Sequence, residues 1–147
     1  VTRSQTAVKT PWHLWLIGIV GLLWNAIGAF DFVMTTSKNE TYMSAFASDQ
    51  LAFFYGLPFW VKVAWAVAVW GGVIGSILLL VRKRQAVMVF LFSFVAALLT
   101  TFNNYVLSNG LQVMGDAVSL IFTGVILIIA LGLYLYSTAM QRKGLLV

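Results

Sequence analysis

Four runs of about twenty apolar residues fill most of this chain, and they leave it few ways to fold. A helix rising about 1.5 Å per residue needs about 20 such residues to cross a hydrocarbon core of roughly 30 Å. The runs cover about residues 12–34, 58–81, 86–107 and 115–137. Barrel strands do not account for them, since a strand takes about 9–11 residues in alternation. Of 147 residues, 61% are hydrophobic and 9% charged, with a mean hydropathy of +0.95; a soluble domain carries about 25% charged residues. The expectation is an all-α integral membrane protein, a four-transmembrane-helix antiparallel bundle forming a single membrane domain over residues 1–147. The first span is too long and too aromatic for a cleaved signal peptide, so it is expected to be retained.

Charge sets the orientation. Arg3 and Lys9 precede span 1, Arg82-Lys83-Arg84 joins spans 2 and 3, and Arg142 and Lys143 follow span 4. An even number of spans puts all three clusters on one side, and the positive-inside rule makes that side cytoplasmic, with both termini. The segments facing outward hold only Lys38 as a basic residue. The net charge of +5 is therefore read as a topology signal, and no nucleic-acid partner is expected. The outer connector, residues 36–57, has room for structure of its own. Ser48 is placed to cap a short helix, Asp49 and Gln50 suit its first turn, and Gly56 ends it before Pro58 opens span 2. This helix is expected in the outer interface, either resting on the bundle or acting as a lid.

Each span carries small and polar residues at helical spacing, the pattern by which membrane helices approach closely. Span 1 has Gly18, Gly21, Asn25 and Gly28, and span 2 has Ala64, Ala68, Gly72 and Ser76 with Gly75 alongside. Span 3 adds Ser93, Ala97, Thr100 and Asn104, and span 4 adds Asp116, Ser119, Thr123 and Ala130. All four seams are expected to face one interior, with the glycines serving packing.

Depth places the remaining polar groups. Asp31, Lys62, Asn103, Asn104 and Asp116 fall at one outer level, and Asn25 lies about two turns deeper. Ionisable groups inside spans are expensive unless paired or wetted, which makes these six residues binding candidates. Two accounts of them stand side by side. In one they line a polar pocket open to the outside; in the other Lys62 pairs with Asp31 or Asp116, Asp116 serves the helix dipole, and the rest snorkel. His13, Trp12 and Trp15 are expected at the inner interface and Trp60 at the outer one.

The chain has no cysteine and a single histidine, which excludes disulfides, Cys-ligated metal and a bis-histidine haem within one chain. No cofactor or metal is expected. Two aspartates and a lysine are too ordinary a set to define an enzyme, so none is expected.

The stretches "WNAIGAFDFVMT", "FYGLPFW", "WAVAVWGGVIGSILLLVRKR" and "NYVLSNGLQVMG" resemble a family of small four-span inner-membrane proteins of proteobacteria, whose members are often labelled hypothetical protein or sugar transporter. The resemblance covers about Trp12 to Lys143. It implies a bacterial inner membrane and a transport role, and it transfers no site residues. Two functions follow as expectations. The first is transport or binding of a small solute such as a sugar through the outer pocket, with a homodimer supplying the enclosed volume. The second is a non-catalytic accessory or assembly subunit of a larger membrane complex. The bilayer, a second membrane protein and a small-molecule or lipid ligand are the partners these readings call for.

Overall fold

The computed structural model describes residues 9–147, so Arg3 lies outside the described residues. The regular elements among the described residues are all helices, without strands. In chain order the elements are α1 (Trp12–Thr36), α2 (Glu40–Met43), α3 (Ser48–Tyr55), α4 (Phe59–Leu80), α5 (Gln85–Phe102), a π-helical turn (Asn103–Leu107), α6 (Gly110–Met114) and α7 (Ala117–Arg142). Four helical stretches are long and apolar enough to span a membrane: α1, α4, α5 with its π turn, and α7. The fourth starts later and runs further than the sequence pattern indicates, from Ala117 to Arg142, because Asp116 is its cap and helical propensity carries through Ser137-Thr138-Ala139-Met140-Gln141.

The antiparallel path of the spans brings the basic segments to one end. There the Arg82 guanidinium donates to the Thr10 hydroxyl at 2.9 Å. Val147 N–H donates to Arg82 O at 2.9 Å and Arg84 N–H to Val147 O at 3.2 Å, so the C-terminal tail pairs with the loop between α4 and α5. Leu145 and Leu146 turn inward onto a core of Leu14, Leu79, Phe90, Leu133 and Met140. His13, expected simply as an interfacial ring, also ties α1 to α7 through a 2.5 Å hydrogen bond between its Nδ1 and the Tyr136 hydroxyl.

At the far end, α2, α3 and α6 form a docked cover. Asn39 caps α2 by accepting from Tyr42 N–H at 3.0 Å. The expected short helix is present as α3, but Ser48 is its first residue; Ala47 holds the cap position, and its N–H donates to the Gln50 side chain at 3.1 Å. Phe53, Leu57 and Val61 make a second core with Trp65, Val113 and Met114. α3 therefore packs against the bundle.

Between the ends, α4 is the central element, flanked by α1 on one side and α5 on the other. Without a hydrophobic drive between helices in lipid, association depends on close fit and hydrogen bonds. The seams supply both. Gly72 packs against the Asn25 side chain, Gly28 meets Val69, and Gly21 meets Leu133 and Ser76. Gly18 lies under Leu80. On the α5 side, a Cβ at Gly75 would sit 2.8 Å from the Phe90 ring. The Ser93 hydroxyl donates to Ala68 O at 2.6 Å, an interhelical bond worth about 0.6 kcal/mol in a membrane.

Substituting Gly75 and Gly132 separates packing from propensity. Gly75→Ala is expected to cost about 1–3 kcal/mol, because the enclosed Phe90 ring cannot yield without overpacking. Gly132→Ala adds its Cβ to open space and is expected to stabilise the isolated chain by about 0.5–1 kcal/mol. Reversible unfolding in mixed micelles measures both; equal effects would remove close packing as the role of Gly75.

Candidate functional site

The six polar residues singled out by the sequence are held in separate local structures. Asn25 is partly buried in the middle of α1, where its Nδ2 donates to Gly21 O one turn back at 2.7 Å. That bond folds the amide down along α1 and turns its oxygen to the bare backbone of Gly72. Asp31 accepts a 2.5 Å hydrogen bond from the Tyr42 hydroxyl, which fastens α2 to α1. Asp116 caps α7, its two oxygens accepting from Ser119 N–H at 3.1 Å and from the Ser119 hydroxyl at 2.7 Å. Those two donors hold its carboxyl below the usual carboxylate range.

Asn103 is buried and donates to the Asn104 side chain at 3.3 Å. Both open the π turn, a widening of the helix that occurs often at functional sites. One residue on, the Tyr105 hydroxyl bonds Thr123 of α7 at 3.1 Å. Thr123 of the span 4 seam thereby meets α5's π turn.

The expected ion pair of Lys62 with Asp31 or Asp116 is not formed among the described residues. Each carboxylate is engaged by a nearer hydroxyl or backbone donor. Lys62 instead reaches a notch at the far end between α1 and α4, with Thr35, Lys38, Tyr55 and Trp65. The notch encloses about 10 Å³, room for one water-sized group. A larger groove of about 360 Å³ runs between α4 and α5 and is lined by apolar residues including Trp60, Val67 and Phe92. No group of three or more His, Asp or Glu side chains that could hold a metal is found among the described residues.

Sequence reasoning missed Tyr42, Thr35 and Lys38. Tyr42 had a readable signal: Asp31 near a helix end calls for a donor, and the connector carries Tyr42 within three residues of the Asn39 cap. Lys38 had a weaker one. It follows the last turn of α1 with φ of 55°, and its N–H bonds Thr35 O while Asn39 N–H bonds Met34 O, each at 3.1 Å. This is a Schellman end, where glycine is the usual residue; a lysine there costs about 1 kcal/mol. The turn holds the Lys38 ammonium 5.0 Å from the centre of the Tyr55 ring.

No protein-family model matches this chain, and no curated protein or solved structure shows significant similarity to it.

Two outcomes follow from the geometry. The hydrogen bond to Asp31, followed by partial burial and the charge of that carboxylate, pushes the Tyr42 phenol up to about 12. A raised acid favours the protonated folded form, so this tether is intact below the ordinary tyrosine value of about 10 and is lost as pH rises through about 12. The difference in tyrosinate absorbance between wild type and Tyr42→Phe is expected to titrate near that higher value, and Asp31→Asn to bring the midpoint down. For the α1–α4 contact, Gly72→Ala is expected to cost about 1–3 kcal/mol and to recover most of it when combined with Asn25→Ala. Additive costs in that cycle would mean that Asn25 and Gly72 do not act through each other.

Proposed function

We propose that this protein is a non-catalytic subunit of a larger membrane complex in a bacterial inner membrane, its basic end in the cytoplasm. It docks onto a transmembrane helix of a different polypeptide through the free face of α7. The observation that carries this reading is the surface of α7. It is the least buried of the four spans, and between Ala117 and Gly132 it has no fully buried residue. Leu133, Ser137 and Met140 define the side that meets the bundle. Away from that side, Gly124, Ile128 and Gly132 recur every four residues, and no neighbouring atom lies within 4 Å of a Cβ built on either glycine.

Glycine on a lipid-facing surface adds no contact with lipid and costs helix propensity. Its gain comes when another helix approaches closely. A second copy of this chain is disfavoured in that place. Parallel packing would bring two sets of Arg82, Lys83, Arg84, Arg142 and Lys143 together, and like charges in register repel. The complementary partner is a membrane protein with small residues on one helix and acidic residues at its cytoplasmic end. The transport reading draws on the resemblance noted above, but of the six polar residues it would use, all except Lys62 are engaged locally, which favours the subunit reading.

Native mass spectrometry after mild extraction from the source membrane tests this. A stoichiometric complex with a second polypeptide is expected for the wild type, and its loss in Gly124→Leu and Gly132→Leu with helix content unchanged. A lone chain, a homodimer, or a complex indifferent to both substitutions overturns it.

A further inference from the structure

We propose that Gly144–Val147 is a strap that keeps α7 in the bundle, and that its release lets α7 swing off α1 about its contact with α5 while α1, α4 and α5 stay packed. This concerns the isolated chain and stands apart from the docking of α7 onto a partner.

The way α7 is held carries the argument first. α4 seats α1 and α5 on bare glycine backbone, whereas both glycines of α7 meet nothing. α7 packs chiefly against α5 and reaches α1 through single side chains. Leu133 lies on Gly21, Tyr136 bonds His13 at 2.5 Å, and Phe122 meets Trp24 with ring centres 5.9 Å apart. Outward of that last pair, no hydrogen bond or aromatic contact joins α7 to α1 among the described residues. Two apolar helices in lipid have no hydrophobic drive to make up for missing contacts. α7 therefore needs a hold from outside the hydrocarbon.

The strap supplies it. α7 ends in a Schellman turn, with Leu145 N–H donating to Met140 O and Gly144 N–H to Gln141 O, each at 3.0 Å, and Gly144 at φ of 76°. The turn sends the chain back over the end of the bundle. Leu145 and Leu146, each 5% exposed, enter a core with Leu14 of α1, Leu79 of α4 and Phe90 of α5. They follow the basic residues Arg142 and Lys143 and so stand at the aqueous end, where removing apolar surface from water is favourable. The strap thus draws on the hydrophobic effect, which the contacts of α7 within the bilayer cannot. Val147 then brackets Lys83: its N–H donates to Arg82 O at 2.9 Å, and its O accepts from Arg84 N–H at 3.2 Å. Those backbone bonds fasten the end of α7 to the loop joining α4 and α5.

Release has a defined consequence. Leu133 and the buried Ser76 hydroxyl both lie against Gly21, and Gly21 O holds the Asn25 amide. Swinging α7 away uncovers this polar part of the α1–α4 seam at the side of the bundle. The glycine seats of α4 do not involve the strap, so the other three spans keep their contacts.

The test uses the full chain in lipid nanodiscs. It has no cysteine, so introduced cysteines take spin labels at chosen sites, and pulsed dipolar electron resonance reads their separation. Leu16→Cys with Leu135→Cys reports α1 to α7, and Leu16→Cys with Ile77→Cys reports α1 to α4; all three side chains are exposed. Leu145→Ser with Leu146→Ser releases the strap. The α1–α7 separation is then expected to lengthen or broaden by about 5 Å or more, the pitch of one helical turn, with the α1–α4 separation unchanged. An unchanged α1–α7 separation overturns the proposal. So does an equal change in both pairs, which would make the strap a support of the whole bundle. Should the double variant lose helix content, Val147→Pro, which removes the N–H donated to Arg82, decides by the same reading. No partner is present in the nanodisc, so neither outcome bears on the docking of α7.

Discussion

Everything in this bundle depends on how closely α1 and α5 can approach α4. A bilayer offers two apolar helices no reason to leave lipid for each other, so contact distance and shape decide. α4 meets that demand on both sides at once. Gly72 and Ser76 face α1, while Gly71 and Gly75 face Ser93 and Phe90 of α5. The Ser76 hydroxyl is tied back to Gly72 O at 2.8 Å, so the tight side also presents no unsatisfied donor. α7 has no comparable seat on α4; it is held at the basic end by Leu133, Met140 and the His13–Tyr136 bond, and near its start by Tyr105 on Thr123.

How much of this the sequence shows depends on whether a signal is repeated or singular. The spans, their antiparallel order and the clustering of basic segments rest on long patterns, and they stand as read apart from the bounds of the fourth span. The seams are also repeated patterns, and Gly18, Gly21, Gly28, Gly72 and Gly75 all lie against neighbouring helices. Partner choice among single polar residues is different. Asp31, Lys62 and Asp116 share a depth, which made an ion pair reasonable, yet Tyr42 and Ser119 lie closer in the chain to the carboxylates and reach them first. A level along the membrane normal fixes one coordinate; the azimuth around each helix and the local turns fix the others. The π turn at Asn103–Leu107 has no periodic signature, because it alters the very period by which a helix is read.

Gly124 and Gly132 show the converse case. Their spacing resembles the seams of α1 and α4, and the sequence gives no means of telling an inner seam from an outer one. The distinction appears once Leu133, Ser137 and Met140 set the bundle-facing side of α7. Glycine placed there gives up helix propensity without any contact inside the chain. That cost is the physical reason to look for a surface outside it.

The two ends of the molecule handle charge in opposite ways. At the basic end, Arg82 stands in the same left-handed Schellman position as Lys38, with φ of 58°, but its guanidinium is satisfied by Thr10 and its backbone by Val147. The local geometry is thus the same and the partners are not. At the far end, Lys38 stands over an aromatic face and Lys62 forms no ion pair among the described residues. Lys38 and Arg82 both follow a helix C-terminus, the end whose dipole favours a cation, so position alone explains why a basic residue is tolerated at each. It does not set the partners: the basic end closes by pairing of Val147 with the loop between α4 and α5, while at the far end the same turn lays Lys38 over the Tyr55 ring of α3.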